Sequence, residues 1–171
     1  ESEGYENINI SINISPVQIR QNDFVETVRS ILDETGAKAE NLELEITENI
    51  LLDSLEASLN KLNEIRAMGI SISLDDFGQG YSSLTYLRIL PISTLKIDKS
   101  FIEYEATERN SQIVCAIIDL ARGLNLKVVA EGVETKEQYE FLKENECDMI
   151  QGYYISKPLP VKEAERLIAS D

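Results

Sequence analysis

Leu42 to Asp75 reads LELEITENILLDSLEASLNKLNEIRAMGISISLD, and this stretch decides the fold. Leu42–Thr47 alternates apolar and polar residues with the period of two that marks a strand. Asp53, followed three residues later by Glu56, has the pattern of a capping box opening a helix. Leu55, Leu59, Leu62 and Ile65 space out the apolar face of that helix, Gly69 closes it, and Ile70–Asp75 is a strand again. A strand, a helix and a second strand in this order form a parallel crossover unit.

The unit recurs on both sides. Upstream, Asn7–Ser15 (NINISINIS) sets Ile8, Ile10, Ile12 and Ile14 on one face and Asn9, Ser11, Asn13 and Ser15 on the other, until Pro16 stops the strand. Phe24, Val25, Val28, Ile31 and Leu32 then take helical spacing, with Gly36 at the end. Downstream, Ser82–Leu90 reads as a short helix ended by Pro91, and Thr94–Asp98 as a strand. Ile113, Val114, Ile117, Ile118 and Ala121 mark a helix ended by Gly123, followed by a strand over Lys127–Glu131. A helix over Thr135–Asn145, a strand over Met149–Tyr154 and a helix over Lys162–Ala169 complete the series. Six strand signals separated by helices demand a parallel sheet, either open and doubly wound or curled into a barrel. No Gly-x-Gly-x-x-Gly follows the first strand, so a dinucleotide-binding open sheet has no support. The loose segments are residues 1–6, which read as a linker, and Glu103–Asn110.

Composition narrows the chemistry. The 171 residues carry 31 acidic and 16 basic side chains, a formal charge of −15, and no histidine. Ser-His-Asp and Cys-His nucleophiles, imidazole acid–base work and His-ligated zinc are all excluded. Cys115 and Cys147 form no CxxC pair and read as structural thiols, which suits a reducing cytoplasm. The acidic balance argues against a nucleic-acid polymer as partner, because phosphate neutralisation needs basic clusters. No apolar run approaches the roughly 18 residues of a membrane span, so no membrane contact is expected in this segment. The opening Glu1-Ser2-Glu3-Gly4, with no Met, suggests a piece of a longer protein.

The C-terminal ends of the six strands carry the informative residues: Asn13, Glu45, Asp75, Lys96 with Asp98, Glu131, and Gln151. Ligands bind at that edge in parallel α/β proteins. The alternate phase is apolar and expected to face helices: Ile12/Ile14, Leu44/Ile46, Ile72/Leu74, Leu95/Ile97, Val128/Ala130 and Ile150. A closed sheet would therefore aim the polar set into one mouth, with Asp76 just beyond its strand. Two carboxylates about 4 Å apart repel by about 4 kcal/mol at an effective dielectric near 20. Glu45, Asp75, Asp76 and Glu131, with Asp98 nearby and one lysine, cannot neutralise themselves. All-oxygen ligands without His or Cys select Mg²⁺, Mn²⁺ or Ca²⁺ over zinc. The adjacent Asp75-Asp76 pair suits two-metal hydrolysis of a phosphodiester. An enolising barrel enzyme with Lys96 as proton-abstracting base is a second metal-dependent reading of the same residues.

Asn13-Ile14-Ser15, Leu44-Glu45-Ile46-Thr47-Glu48, Asp75–Ser83 (DDFGQGYSS), Leu95-Lys96-Ile97-Asp98, Glu131-Gly132-Val133-Glu134 and Gln151-Gly152-Tyr153 together resemble the bacterial EAL-domain family of cyclic di-GMP phosphodiesterases, in order and approximate spacing. The resemblance runs from about Ile8 to Pro160. It implies a (β/α)₈ TIM-barrel-like fold and hydrolysis of cyclic di-GMP to linear pGpG with Mg²⁺ or Mn²⁺ in a two-metal site, with Ca²⁺ inhibiting. By position, Asn13, Glu45, Asp75, Asp76, Asp98 and Glu131 would be metal ligands. Lys96 would hold the attacking water, Glu131 would also serve as acid–base partner, and Glu48 would anchor the Asp75–Ser83 loop. Gln151, Glu134, Gly78, Gly80 and Ser82 would support the shell or the substrate.

The Glu-Ala-Leu triplet that names the family is absent. A barrel of this class has about 250 residues. Residues 1–171 are accordingly read as one partial domain: an incomplete barrel of about six parallel strands with helices outside, lacking the N-terminal strands. Such a fragment should have an impaired metal shell and open edges at Ile8–Ser15 and Met149–Tyr154, which invite a homodimer or edge-paired oligomer. A sensory or GGDEF-type domain is expected upstream, and any membrane anchor of the parent is expected in its other domains. A non-hydrolytic cyclic di-GMP-binding or protein-interaction module is the alternative function.

Overall fold

A computed structural model describes residues 8–51, 55–78, 84–103 and 108–169. Six parallel strands follow one another across a single sheet in chain order: β1 (Ile10–Ile14), β2 (Leu42–Thr47), β3 (Ser71–Phe77), β4 (Thr94–Ile97), β5 (Lys127–Glu131) and β6 (Met149–Gln151). The helices are α1 (Pro16–Arg20), α2 (Phe24–Thr35), α3 (Leu55–Ala67), α4 (Leu84–Ile89), α5 (Lys99–Glu103), α6 (Glu108–Gly123), α7 (Lys136–Glu144) and α8 (Val161–Ile168). The result is the expected incomplete barrel, an open six-stranded half with helices around it and β1 and β6 as edges.

The apolar phase of the strands makes the core. Leu44, Ile46, Ile72, Leu74, Leu95, Ile97, Val128 and Ala130 are all buried, and with Leu62 and Ile65 of α3, Val114 and Ala121 of α6 and Leu142 of α7 they form one cluster. Each fully buried Leu or Ile contributes about 1.5–3 kcal/mol relative to exposure. Ile12 departs from the expected pattern. It is 43% exposed and Ile10 is 56% exposed, because β1 is an edge and its outer face lacks the helix cover that the inner strands have.

Several boundaries differ from the sequence reading for local reasons. Pro16 stops β1 and also opens α1, where Ser15 and Gln18 form a reciprocal capping box. Ile31, expected on the apolar face of α2, is 53% exposed. α6 does end at Gly123 as expected, and the turn that follows it is made by Asn125 (φ +57), with the Leu126 N–H returning to the Ala121 carbonyl. β6 ends at Gln151 instead of Tyr154, because the chain turns there and the Tyr154 N–H bonds the Val133 carbonyl. Asn7, the Asp53 cap, Gly80 and Ser82 lie outside the described residues.

The most consequential difference is in β3, which runs through Asp75 and Asp76 to Phe77. Leu74 pairs with Leu95 and Phe77 with Ile97, so Asp75 and Asp76 both stand opposite Lys96. This is a β-bulge, and Asp76 takes the left-handed conformation (φ +56) that it requires. Asp76 is therefore inside the strand and not beyond it. The bulge interrupts the alternation that would send adjacent aspartates to opposite faces.

Candidate active site

Lys96 occupies the centre of the concave face. Its side chain is 5% exposed, and its Nζ lies 2.7 Å from Glu131 Oε1, 2.8 Å from Glu45 Oε1 and 3.4 Å from Asp75 Oδ1. Three strands, β2, β3 and β5, thus send a carboxylate to one ammonium on β4. Burial works to lower the lysine pKa, but its ion pairs with Glu131, Glu45 and Asp75 outweigh that and raise it well above the ordinary value. Lys96 is a fixed cation at every physiological pH.

One cation does not balance the acids around it. Asp75, Asp76 and Glu131 each place a carboxylate oxygen within 4.8 Å of the others. Asp98, just past β4, is 3% exposed and accepts from the Ser100 N–H at 2.9 Å. Burial first, then the charges of Asp75 and Asp98, raise the Asp76 pKa against the pull of Lys96. Burial likewise raises that of Glu131, where Asp75 and Glu45 add to burial and the Lys96 ion pair only partly offsets it. Hard oxygen donors and excess negative charge are what a divalent cation would relieve, so the residues present fit one.

The other expected residues are placed around this centre. Asn13 is exposed on β1 in register with Glu45, and Gln151 is exposed on β6 in register with Glu131. Glu48, in a 3₁₀ turn after β2, accepts the Gly78 N–H at 3.1 Å, across the start of the loop that follows β3. Glu134 is exposed, and its N–H is taken by Gln138 in the cap of α7. Cys147 is a half-buried thiol whose pKa burial pushes up, consistent with an inert structural role.

One polar group beneath the site was not singled out in the sequence. Glu43 accepts from Ser11 Oγ at 3.1 Å and from Thr94 Oγ1 at 3.0 Å, tying β1, β2 and β4 together below Lys96. These residues line a concave cleft of about 400 Å³ that also reaches Lys96 and Gln151. Glu43 shares the inward phase of Glu45, and that phase was the signal available. Among the described residues, no helix is long and apolar enough to cross a membrane.

Comparison with known proteins agrees with this geometry. The EAL domain family model matches residues 1–158. The cyclic di-GMP phosphodiesterase NbdA of Pseudomonas aeruginosa is 44% identical over 96% of the chain, which spans 21% of NbdA. A solved c-di-GMP complex of PaMucR phosphodiesterase superposes with a TM-score of 0.90 at 43% identity, covering 95% of this chain and 66% of that one. Klebsiella pneumoniae BlrP1, solved as a manganese/cy-diGMP complex, superposes with a TM-score of 0.81 at 27% identity, covering 89% of this chain and 39% of that one. The half-barrel, the acid-ringed lysine and the family match over nearly the whole chain place this protein in the EAL-domain family.

Proposed function

We propose that this chain is part of a metal-dependent phosphodiesterase that hydrolyses cyclic di-GMP to linear pGpG in the cytoplasm. The observation that carries the reading is the buried Lys96 held by Glu45, Asp75 and Glu131 beside the Asp75–Asp76–Glu131 oxygen cluster. Asn13, Glu45, Asp75, Asp76, Asp98 and Glu131 would hold Mg²⁺ or Mn²⁺. Such an ion, when bound, supplies an acidified water and neutralises phosphoryl charge. Lys96 orients the attacking water with its ammonium protons, and its fixed charge supports the developing negative charge on phosphate. Glu131, adjacent to Lys96, takes the proton that the water gives up. Glu48 fixes the loop through Gly78, while Gly78, Gly80, Ser82, Gln151 and Glu134 support the substrate side. Ca²⁺ inhibits, because it accepts more ligands in looser geometry than Mg²⁺ or Mn²⁺.

The test is an assay of the chain and of its longer parent with cyclic di-GMP and Mg²⁺, Mn²⁺ or Ca²⁺. Hydrolysis by the parent is expected, with slower turnover by the 171-residue chain, which lacks the Glu-Ala-Leu triplet. A parent that binds cyclic di-GMP tightly without turnover would make this a receptor module, and an inert parent would refute the reading.

A further inference from the structure

We infer that Gly132 is a positioning residue that sets the spacing between two acid-bearing strand ends, an inference that rests on reading the acid cluster as the hydrolase site. Asp98 follows β4 and Glu131 ends β5. The residues immediately after them, Lys99 and Gly132, meet face to face. A Cβ on Gly132 would lie 2.5 Å from Lys99 Cβ and 3.3 Å from Lys99 Cα, and Gly132 has φ +70. No other residue type lets the two chain segments come this close without displacing one of them.

The opposite side of the same segment is equally closed. Val133 is fully buried, its N–H donates to the Gln151 carbonyl at 3.1 Å, and its carbonyl accepts from the Tyr154 N–H at 2.9 Å. Gly152 packs directly against the Val133 backbone and leaves no space for a Cβ. The segment after Glu131 is thus wedged between the start of α5 and the turn after β6. A push from Lys99 cannot be absorbed towards β6, so it is passed back to Glu131. That carboxylate holds Lys96 at 2.7 Å and shares the oxygen cluster with Asp75 and Asp76.

The test compares Gly132→Ala, Lys99→Gly, the double variant Gly132→Ala/Lys99→Gly, and Gly36→Ala in the full chain. Gly36 has a nearly equal φ of +67 but open space around it, so Gly36→Ala carries the backbone strain without the collision. Mn²⁺ affinity is read by calorimetry, folding by thermal melting in EDTA, and the Lys96–Glu131 separation by metal-free crystal structures. Gly132→Ala is expected to weaken Mn²⁺ binding about 10-fold or more, the scale seen when support of a metal ligand is lost. Its crystal structure should show the Lys96–Glu131 contact broken. The double variant should recover both, and Gly36→Ala should lower only the melting temperature. A folded Gly132→Ala with wild-type affinity and contact overturns the inference, and so does a double variant that fails to fold or to recover. If the wild type binds no Mn²⁺, the metal reading of the cluster falls, while the crystallographic comparison still decides the positioning.

Discussion

Lys96 and Glu45 sit on strands that do not pair, yet the lysine Nζ stands 2.8 Å from Glu45 Oε1. β3 runs between them. There Ser73 is in register with Glu45 on one side and with Thr94 on the other, and it is fully buried. A small residue on β3 is what lets the ion pair close over it.

Removing the ammonium should expose the cost of the acids it holds. Lys96→Met is expected to destabilise the metal-free fold by about 3–5 kcal/mol, the range for breaking a buried pair from one side. Urea denaturation in EDTA measures this. The loss should shrink as pH falls through the raised range in which Glu131 takes up a proton.

Ser73 separates chemistry from space. Its hydroxyl is buried with no hydrogen-bond partner. Ser73→Ala should therefore be neutral or stabilising by up to about 1 kcal/mol, since an unsatisfied group is removed. Ser73→Leu should cost about 1–3 kcal/mol through overpacking and force Lys96 and Glu45 apart. Paired denaturation curves decide the sign. A destabilising Ser73→Ala would show that the hydroxyl is used.

The β3 bulge can be weighed separately from the charge it carries. Asp76→Gly and Asp76→Ala remove the same carboxylate, but only Ala resists φ +56. The glycine variant should be the more stable of the two by about 1 kcal/mol. Equal melting temperatures would mean that the bulge relaxes when its carboxylate is lost.

The raised pKa values of Asp76 and Glu131 set the direction of the pH dependence. Folded, metal-free protein binds protons at these groups more readily than the unfolded chain does. Their contribution to stability therefore falls as pH rises from the ordinary carboxylate range through the raised values. Lys96 is fully charged across that window and adds no slope there. Mn²⁺ competes with those protons, so its stabilising shift in melting temperature should be larger at pH 8 than at pH 5. A shift that is equal at both values would refute the assignment of these acids to the metal.

The strand phases were legible because burial is a period-two property of the local sequence. Leu44, Ile46, Ile72 and Leu74 announce their faces without any partner being known. The inward row of Glu45, Asp75, Lys96 and Glu131 followed from the same parity. What stayed hidden depends on partners distant in sequence. The Asp75–Asp76 bulge is defined only against Lys96 on another strand, and the shortened β6 only against Val133. The end of α6 at Gly123 was legible, whereas the turn at Asn125 is fixed only by the bond from Leu126 to Ala121. The role of Glu43 depends on Ser11 and Thr94, which lie far from it in sequence.

The unbroken strand order also bears on how the chain is made. Each of the six strands pairs only with its neighbours in the chain, so a growing chain can dock each of these βα units as it emerges. The Thr94–Glu43 bond and the Lys96–Glu45 ion pair reach back over a strand already laid down. Until β4 is synthesised, Glu45 and Asp75 face one another without their cation. Translation through Thr94–Ile97 is thus the step that brings Glu45 and Asp75 their shared cation.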